Sequence, residues 1–137
     1  MATFQLELVS PEKLILSRPV EMAVIPAAEG EMGVLPGHAP MIVALRGGVI
    51  TVREGGQTTD RLFIGGGFAE ITPERCTVLA DEATPVADLS RDKAEARVRE
   101  AEAAYAAAAA TETPERREEA MDRLLSARAM AAAVQAG

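Results

Sequence analysis

With 137 residues, 48% of them hydrophobic, the chain can bury one good core, or a small core plus an appendage. A net charge of −7, from 14 basic and 21 acidic residues, argues against a nucleic-acid partner, which needs concentrated positive charge to displace counterions. One cysteine cannot build a disulfide framework and suits a reducing compartment, and no apolar run approaches the roughly 18 residues of a membrane span.

Residues Met1 to Gln5 carry neither the basic nor the apolar segment of a secretory leader, so none is expected. Thr3–Val9 alternates, with Phe4, Leu6 and Leu8 on one face, and predicts a first strand. Short strands follow at Lys13–Leu16 and Val20–Ile25. Residues Glu29–Leu45 hold three glycines, two prolines, two acids and the only histidine, and read as an ordered loop feeding a strand at Met41–Leu45. Further strands are predicted at Val49–Arg53, Thr58–Ile64, Phe68–Ile71 and Cys76–Ala80. Gly47–Gly48 and Glu54–Gln57 sit where hairpin turns need positive φ. Gly65–Gly67 lies between two strands without the Lys-Ser/Thr of a phosphate loop, so a bulge or a close backbone approach is expected there.

Seven of eight prolines and ten of eleven glycines precede residue 86, after which alanine takes over. That shift places a boundary near Pro85–Asp88 and divides the chain into residues 1–86 and 87–137. The fold expected is β then α: a β-sandwich of about eight to ten short strands, then an antiparallel two-helix hairpin. Asp88 or Ser90 caps a first helix running to about Ala110, and Thr113 caps a second, with Pro114 at its first position. Ala94, Val98, Ala101, Tyr105 and Ala108 form one stripe, and Met121, Leu124, Leu125 and Ala132 the other. Alanine-lined stripes bury little area, so the hairpin is expected to dock marginally and to be able to detach or extend. Glu95–Arg99 and Glu119–Arg123 are spaced as favourable helical pairs.

No set of side chains makes a catalytic constellation, so the chain is not expected to be an enzyme by itself or to hold a cofactor. His38 has no cysteine or second histidine to complete a metal site. Cys76 lies in an apolar run and reads as a buried, inert thiol. The loop at Glu29–Leu45 therefore reads as a shaped contact surface.

Gly30–Pro40, with its glycine-acid-x-glycine segment leading into Pro-Gly-His-Ala-Pro, closely resembles the signature of the epsilon subunit of F-type ATP synthases, called delta in mitochondria. Gly65–Ile71 and Thr77–Asp81 are similar to two further strands of that family, in the same order and spacing. The resemblance implies a non-catalytic rotor component, whose sandwich binds the gamma subunit and rests on the c-subunit ring. It also implies a peripheral place on the cytoplasmic face of the bacterial inner membrane, with no direct insertion, and a further contact of the helices with the alpha and beta catalytic subunits.

Carried over residue by residue, Glu29, Glu31, His38, Ala39, Met41 and Ile42 match the ring and gamma interface. The competing reading makes the two acids solvated loop carboxylates, less so for Glu31 than for Glu29, and His38 a turn histidine bonded to local backbone. Alternation lets only one of Met41 and Ile42 point outward. The resemblance further implies regulation of ATP hydrolysis by the hairpin, which in many bacterial relatives blocks hydrolysis when extended and, folded down, binds ATP through an Asp-x-x-Arg-Ala motif opening the first helix. Here that stretch is Leu89–Ala94, with Ser90 for the acid and Lys93 for the arginine. Lys93, Arg97 and Arg123 remain as positions for weak nucleotide contacts, while Glu119 repels a triphosphate. Two other readings compete: an ATP-sensing regulatory module, and an unrelated β-sandwich adaptor, for which aromatics are scarce.

Overall fold

In a computed structural model of the protein, residues 2–111 and 113–136 are described, without the side chains at 111 and 136. Eight strands come first: β1 (Phe4–Val9), β2 (Leu14–Val20), β3 (Met22–Ala27), β4 (Gly30–Val34), β5 (Met41–Glu54), β6 (Gln57–Ile71), β7 (Arg75–Ala80) and β8 (Ala83–Pro85). A single 3-10 turn at Val86–Asp88 leads to α1 (Arg91–Thr111) and α2 (Pro114–Ala136).

The strands hydrogen-bond in the order β2-β1-β7-β6-β5-β3-β4, with β8 beside β6. The two long strands pair from end to end, Met41 with Ile71 and Glu54 with Gln57, and serve both layers of a sandwich. The second half of β6, Gly67–Ile71, pairs with β7, whereas Leu62–Ile64 in its first half pairs with β8. The change of partner falls on glycines, where Gly47 faces Gly65 and Leu45 faces Gly67. Gly66 and Gly67 have φ of 115° and 137°, and a β-carbon on Gly67 would collide with the Leu79 carbonyl oxygen. The expected close approach is there, within a strand rather than between two.

The core lies between the layers. Phe4, Leu6, Leu8, Ala69, Ile71, Cys76 and Val78 meet Ala23, Ile25, Val34, Ile50, Val52, Leu62 and Ile64. The period-2 alternation of β1 is kept in full, because Phe4, Leu6 and Leu8 are buried and Gln5, Glu7 and Val9 are not. At one edge Arg18 of β2 bonds Asp60 and, at 3.1 Å, Glu54, fastening β2 to the β5–β6 hairpin.

Two expectations about the strands need correction. Gly47 and Gly48 are not a turn, since neither has a positive φ and β5 runs through them. A β-carbon on Gly47 would lie 2.7 Å from the Ser126 backbone, so this glycine admits α2 to the sheet. Gly55 and Gly56 do turn the chain, with φ of 61° and 76°. The segment read as a loop contains strand β4, registered against β3 from Ala23–Val34 to Ala27–Gly30. Its two glycines hid the strand because an edge strand tolerates them better than a central one.

The helices begin as expected. Lys93 N–H donates to Ser90 Oγ at 3.3 Å, and Arg116 N–H to Thr113 Oγ1 at 3.4 Å. Glu112, in the expected break, lies outside the described residues. On α1, Ala94, Ala101 and Ala108 are buried, as the stripe required. On α2 the buried stripe is Leu124, Ala127, Met130 and Ala133, while Leu125 and Ala132 are exposed. The register is set by what α2 packs on: Leu124 and Ala127 against α1, and Met130 against Phe63 of the sheet. Among the described residues neither Arg99 nor Arg123 pairs with the acid four positions earlier; Arg128 of α2 instead reaches Glu102 of α1 at 3.8 Å.

Candidate functional site

The hairpin covers the outer face of one layer. Phe63, on the opposite side of β6 from the core residues Leu62 and Ile64, is fully buried against Ala94 and Met130. The outer face of the other layer is bare. There Ile42 on β5, Phe68 on β6 and Leu79 on β7 are 73%, 59% and 55% exposed. Phe68 is directly registered with Leu79 on one side and Ala44 on the other, so these side chains form one continuous apolar face.

One end of that face opens into a groove of about 510 Å³ between the β3–β4 turn and the start of β5. The structure brings Glu29, Glu31, Met41 and Ile42 together there. Met41 and Ile42 are both exposed, so alternation did not turn either inward. Met41 opens the strand, and the inward positions begin at half-buried Val43. Glu31 points outward from β4 and Glu29 sits in the preceding turn, so both carboxylates rim the groove without being buried.

His38 and Ala39 do not line this groove. Their loop is fixed by Gly37 N–H donating to the Pro73 carbonyl at 2.8 Å and by His38 N–H donating to Leu35 O at 3.2 Å. His38 Nδ1 lies 2.7 Å from the Ala39 carbonyl, the locally bonded turn histidine of the two readings. Phe68, Leu79 and Ala44 were missed as site residues. Their signal was present, because Phe68-Ala69 and Val78-Leu79-Ala80 place apolar side chains on both faces of a strand.

A second cavity, of about 570 Å³, lies between sandwich and helices. Arg97 and Arg123 line it and Lys93 does not; Asp81, Glu82, Glu100 and Asp122 line it as well. Glu82 bonds Arg97 through both oxygens, at 2.7 and 3.0 Å, and this raises the pKa of the arginine. The lining is thus net acidic, two cations among four acids, a field that opposes a polyphosphate. Cys76 is buried, and desolvation pushes its thiol up to about 11. Among the described residues no group of three or more His, Cys, Asp or Glu could hold a metal, and no helix is long and apolar enough to cross a membrane.

Comparisons with known proteins add to this geometry. A family model described as the ATP synthase delta/epsilon chain beta-sandwich domain matches residues 3–86. The chain is 69% identical to the ATP synthase epsilon chain of Granulibacter bethesdensis over 106 residues, 77% of this chain and 78% of that one. It is 50% identical to the ATP synthase epsilon chain of Gluconacetobacter diazotrophicus over 105 residues, 77% of this chain and 74% of that one. Among solved structures, a chain in the Euglena gracilis mitochondrial ATP synthase (OSCP, F1 and c-ring) superposes with a TM-score of 0.79 at 28% identity, over 98% of this chain and 82% of that one. A chain from the central stalk and c-ring of the Tetrahymena thermophila enzyme shares the fold, with a TM-score of 0.65 at 12% identity over 96% of each chain.

Proposed function

The chain belongs to the ATP synthase delta/epsilon family, and from that premise we propose that its sandwich is the coupling piece between the gamma subunit and the c-ring. It is a non-catalytic stalk subunit, peripheral to the membrane as part of the complex. The observation that carries the coupling role is the bare face of Ile42, Phe68 and Leu79, continuous with an acid-rimmed groove at one end. Large apolar side chains standing together in water signal a partner. On a stiff sheet they are already positioned, so docking costs little conformational entropy. We assign this face to gamma. The groove of Glu29, Glu31, Met41 and Ile42, with His38 and Ala39 nearby, we assign to the ring, whose polar loops would meet the two carboxylates.

Residues 87–137 we read as a separate unit that can leave the sandwich and reach the alpha and beta subunits. What supports this is the smallness of its apolar docking contact, which centres on Phe63, Ala94 and Met130. We assign the assembly to the cytoplasmic face of the inner membrane. The nucleotide-sensing alternative is not favoured, because Arg97 already has a carboxylate partner.

Gel filtration with the gamma subunit of the same organism tests the reading. The wild-type chain should co-elute, and Phe68→Glu should weaken the complex by roughly a hundredfold, the loss typical of a central interface anchor of about 2–4 kcal/mol. Undiminished co-elution of the variant would remove gamma from this face.

A further inference from the structure

The hairpin is joined to the sandwich by very little. Apart from the Phe63–Ala94–Met130 cluster and the close passage of Ser126 over Gly47, the ion pair joining hairpin to sandwich among the described residues is Arg97 of α1 with Glu82 in the β7–β8 turn. That connection is built rather than incidental. Arg97 Nη1 donates to Glu82 Oε1 at 2.7 Å and Nη2 to Oε2 at 3.0 Å, the two-pronged geometry only arginine can supply. Nη1 also lies 3.8 Å from the Met130 sulfur, so one guanidinium touches α2 as well.

The sandwich holds the carboxylate in place from behind. Gly65 N–H donates to the Glu82 carbonyl at 3.1 Å, and Asp81 N–H donates to the Gly66 carbonyl at 3.0 Å. A β-carbon at Gly65 would lie 2.7 Å from Glu82 Cγ and 2.8 Å from Oε1, so the glycine leaves the space this side chain fills.

We propose that Glu82 is the hairpin's internal anion: the Arg97–Glu82 fork latches α1 and α2 to the sandwich, and the hairpin docks with no bound ligand. The inference concerns the free chain and does not depend on the gamma or ring assignments. Both partners are about half exposed, so the latch is weak and screened by salt, and it restrains the hairpin without making it permanent.

Amide hydrogen exchange on the full chain tests it. In Glu82→Gln, exchange in α1 and α2 should quicken roughly 1.5- to fivefold, the range for a partly exposed paired charge, while β1 to β7 keep their rates. Arg97→Lys, which keeps the charge and loses the fork, should fall between. Added salt should quicken the wild-type helices toward the Glu82→Gln rate and leave that variant unchanged. Inorganic triphosphate should not alter the wild-type helices, because Arg97 is taken. Unchanged helix exchange in Glu82→Gln, or an equal rise throughout the sandwich, would overturn the latch. Slowing of the wild-type helices by triphosphate would overturn it too.

Discussion

Among the described residues the Cys76 thiol has no hydrogen-bond or ion-pair partner; it fills space in the core beside Leu6 and Ile71. Burial favours its neutral form, from an ordinary value of 9.0 to about 11. The sign of the linkage follows. An unfolded chain loses the thiol proton near pH 9 while the folded chain keeps it, so unfolding releases a proton at alkaline pH. Stability from the buried neutral thiol is therefore complete below about pH 9 and declines as pH rises toward 11. The decline attributable to this group is about 2–3 kcal/mol at most. Denaturant titrations across that window should show it in the wild type, and Cys76→Val should flatten it. An equally steep decline in the variant would assign it to other groups. Glu54 follows the opposite rule: the Arg18 guanidinium holds its carboxyl below the usual range, so that contribution is lost on acidification.

The elements depend on glycine in two different ways. At Gly66 and Gly67 it permits a backbone angle, letting β6 bend from one layer to the other beside Leu79. At Gly47, where the backbone is ordinary, it permits proximity, since α2 passes so close that any side chain would meet Ser126. Gly47→Val should therefore push α2 off the sheet while leaving the strand intact. We expect a loss of about 1–3 kcal/mol, the usual cost of overpacking. Hydrogen exchange should rise in α2 and not in β1 or β7. If α2 retained its protection, the close approach would not limit docking. Gly47–Gly48 was misread as a turn because the dipeptide has the same letters whether it reverses a strand or receives a helix.

Across the whole molecule the two outer faces of the sandwich are unlike. One is covered by the helices through Phe63, and the other presents Ile42, Phe68 and Leu79 to solvent. If the bare face is the gamma site, the hairpin is not needed for it. A chain ending at Asp88, with Phe63→Ser to offset the exposed aromatic, should bind gamma within about threefold of the full-length protein, since surface changes away from an interface are small. Titration calorimetry would measure this. A loss comparable to that of Phe68→Glu would place part of the gamma contact on the helices.

The sequence by itself determined the β-then-α order, the capped helix starts, the inward face of β1 and the family, because periodicity, capping residues and motif spacing are local. It marked Glu29, Glu31, Met41 and Ile42, and the structure gathers those four into one groove. Only the tertiary structure decided that β5 and β6 each run through their glycines, that α2 buries Ala127 and Met130 rather than Leu125, and that Arg97 meets Glu82. It alone revealed Phe68 and Leu79 as a bare face. Which side of an apolar strand is covered depends on what packs there, and that partner lies far along the chain or outside it.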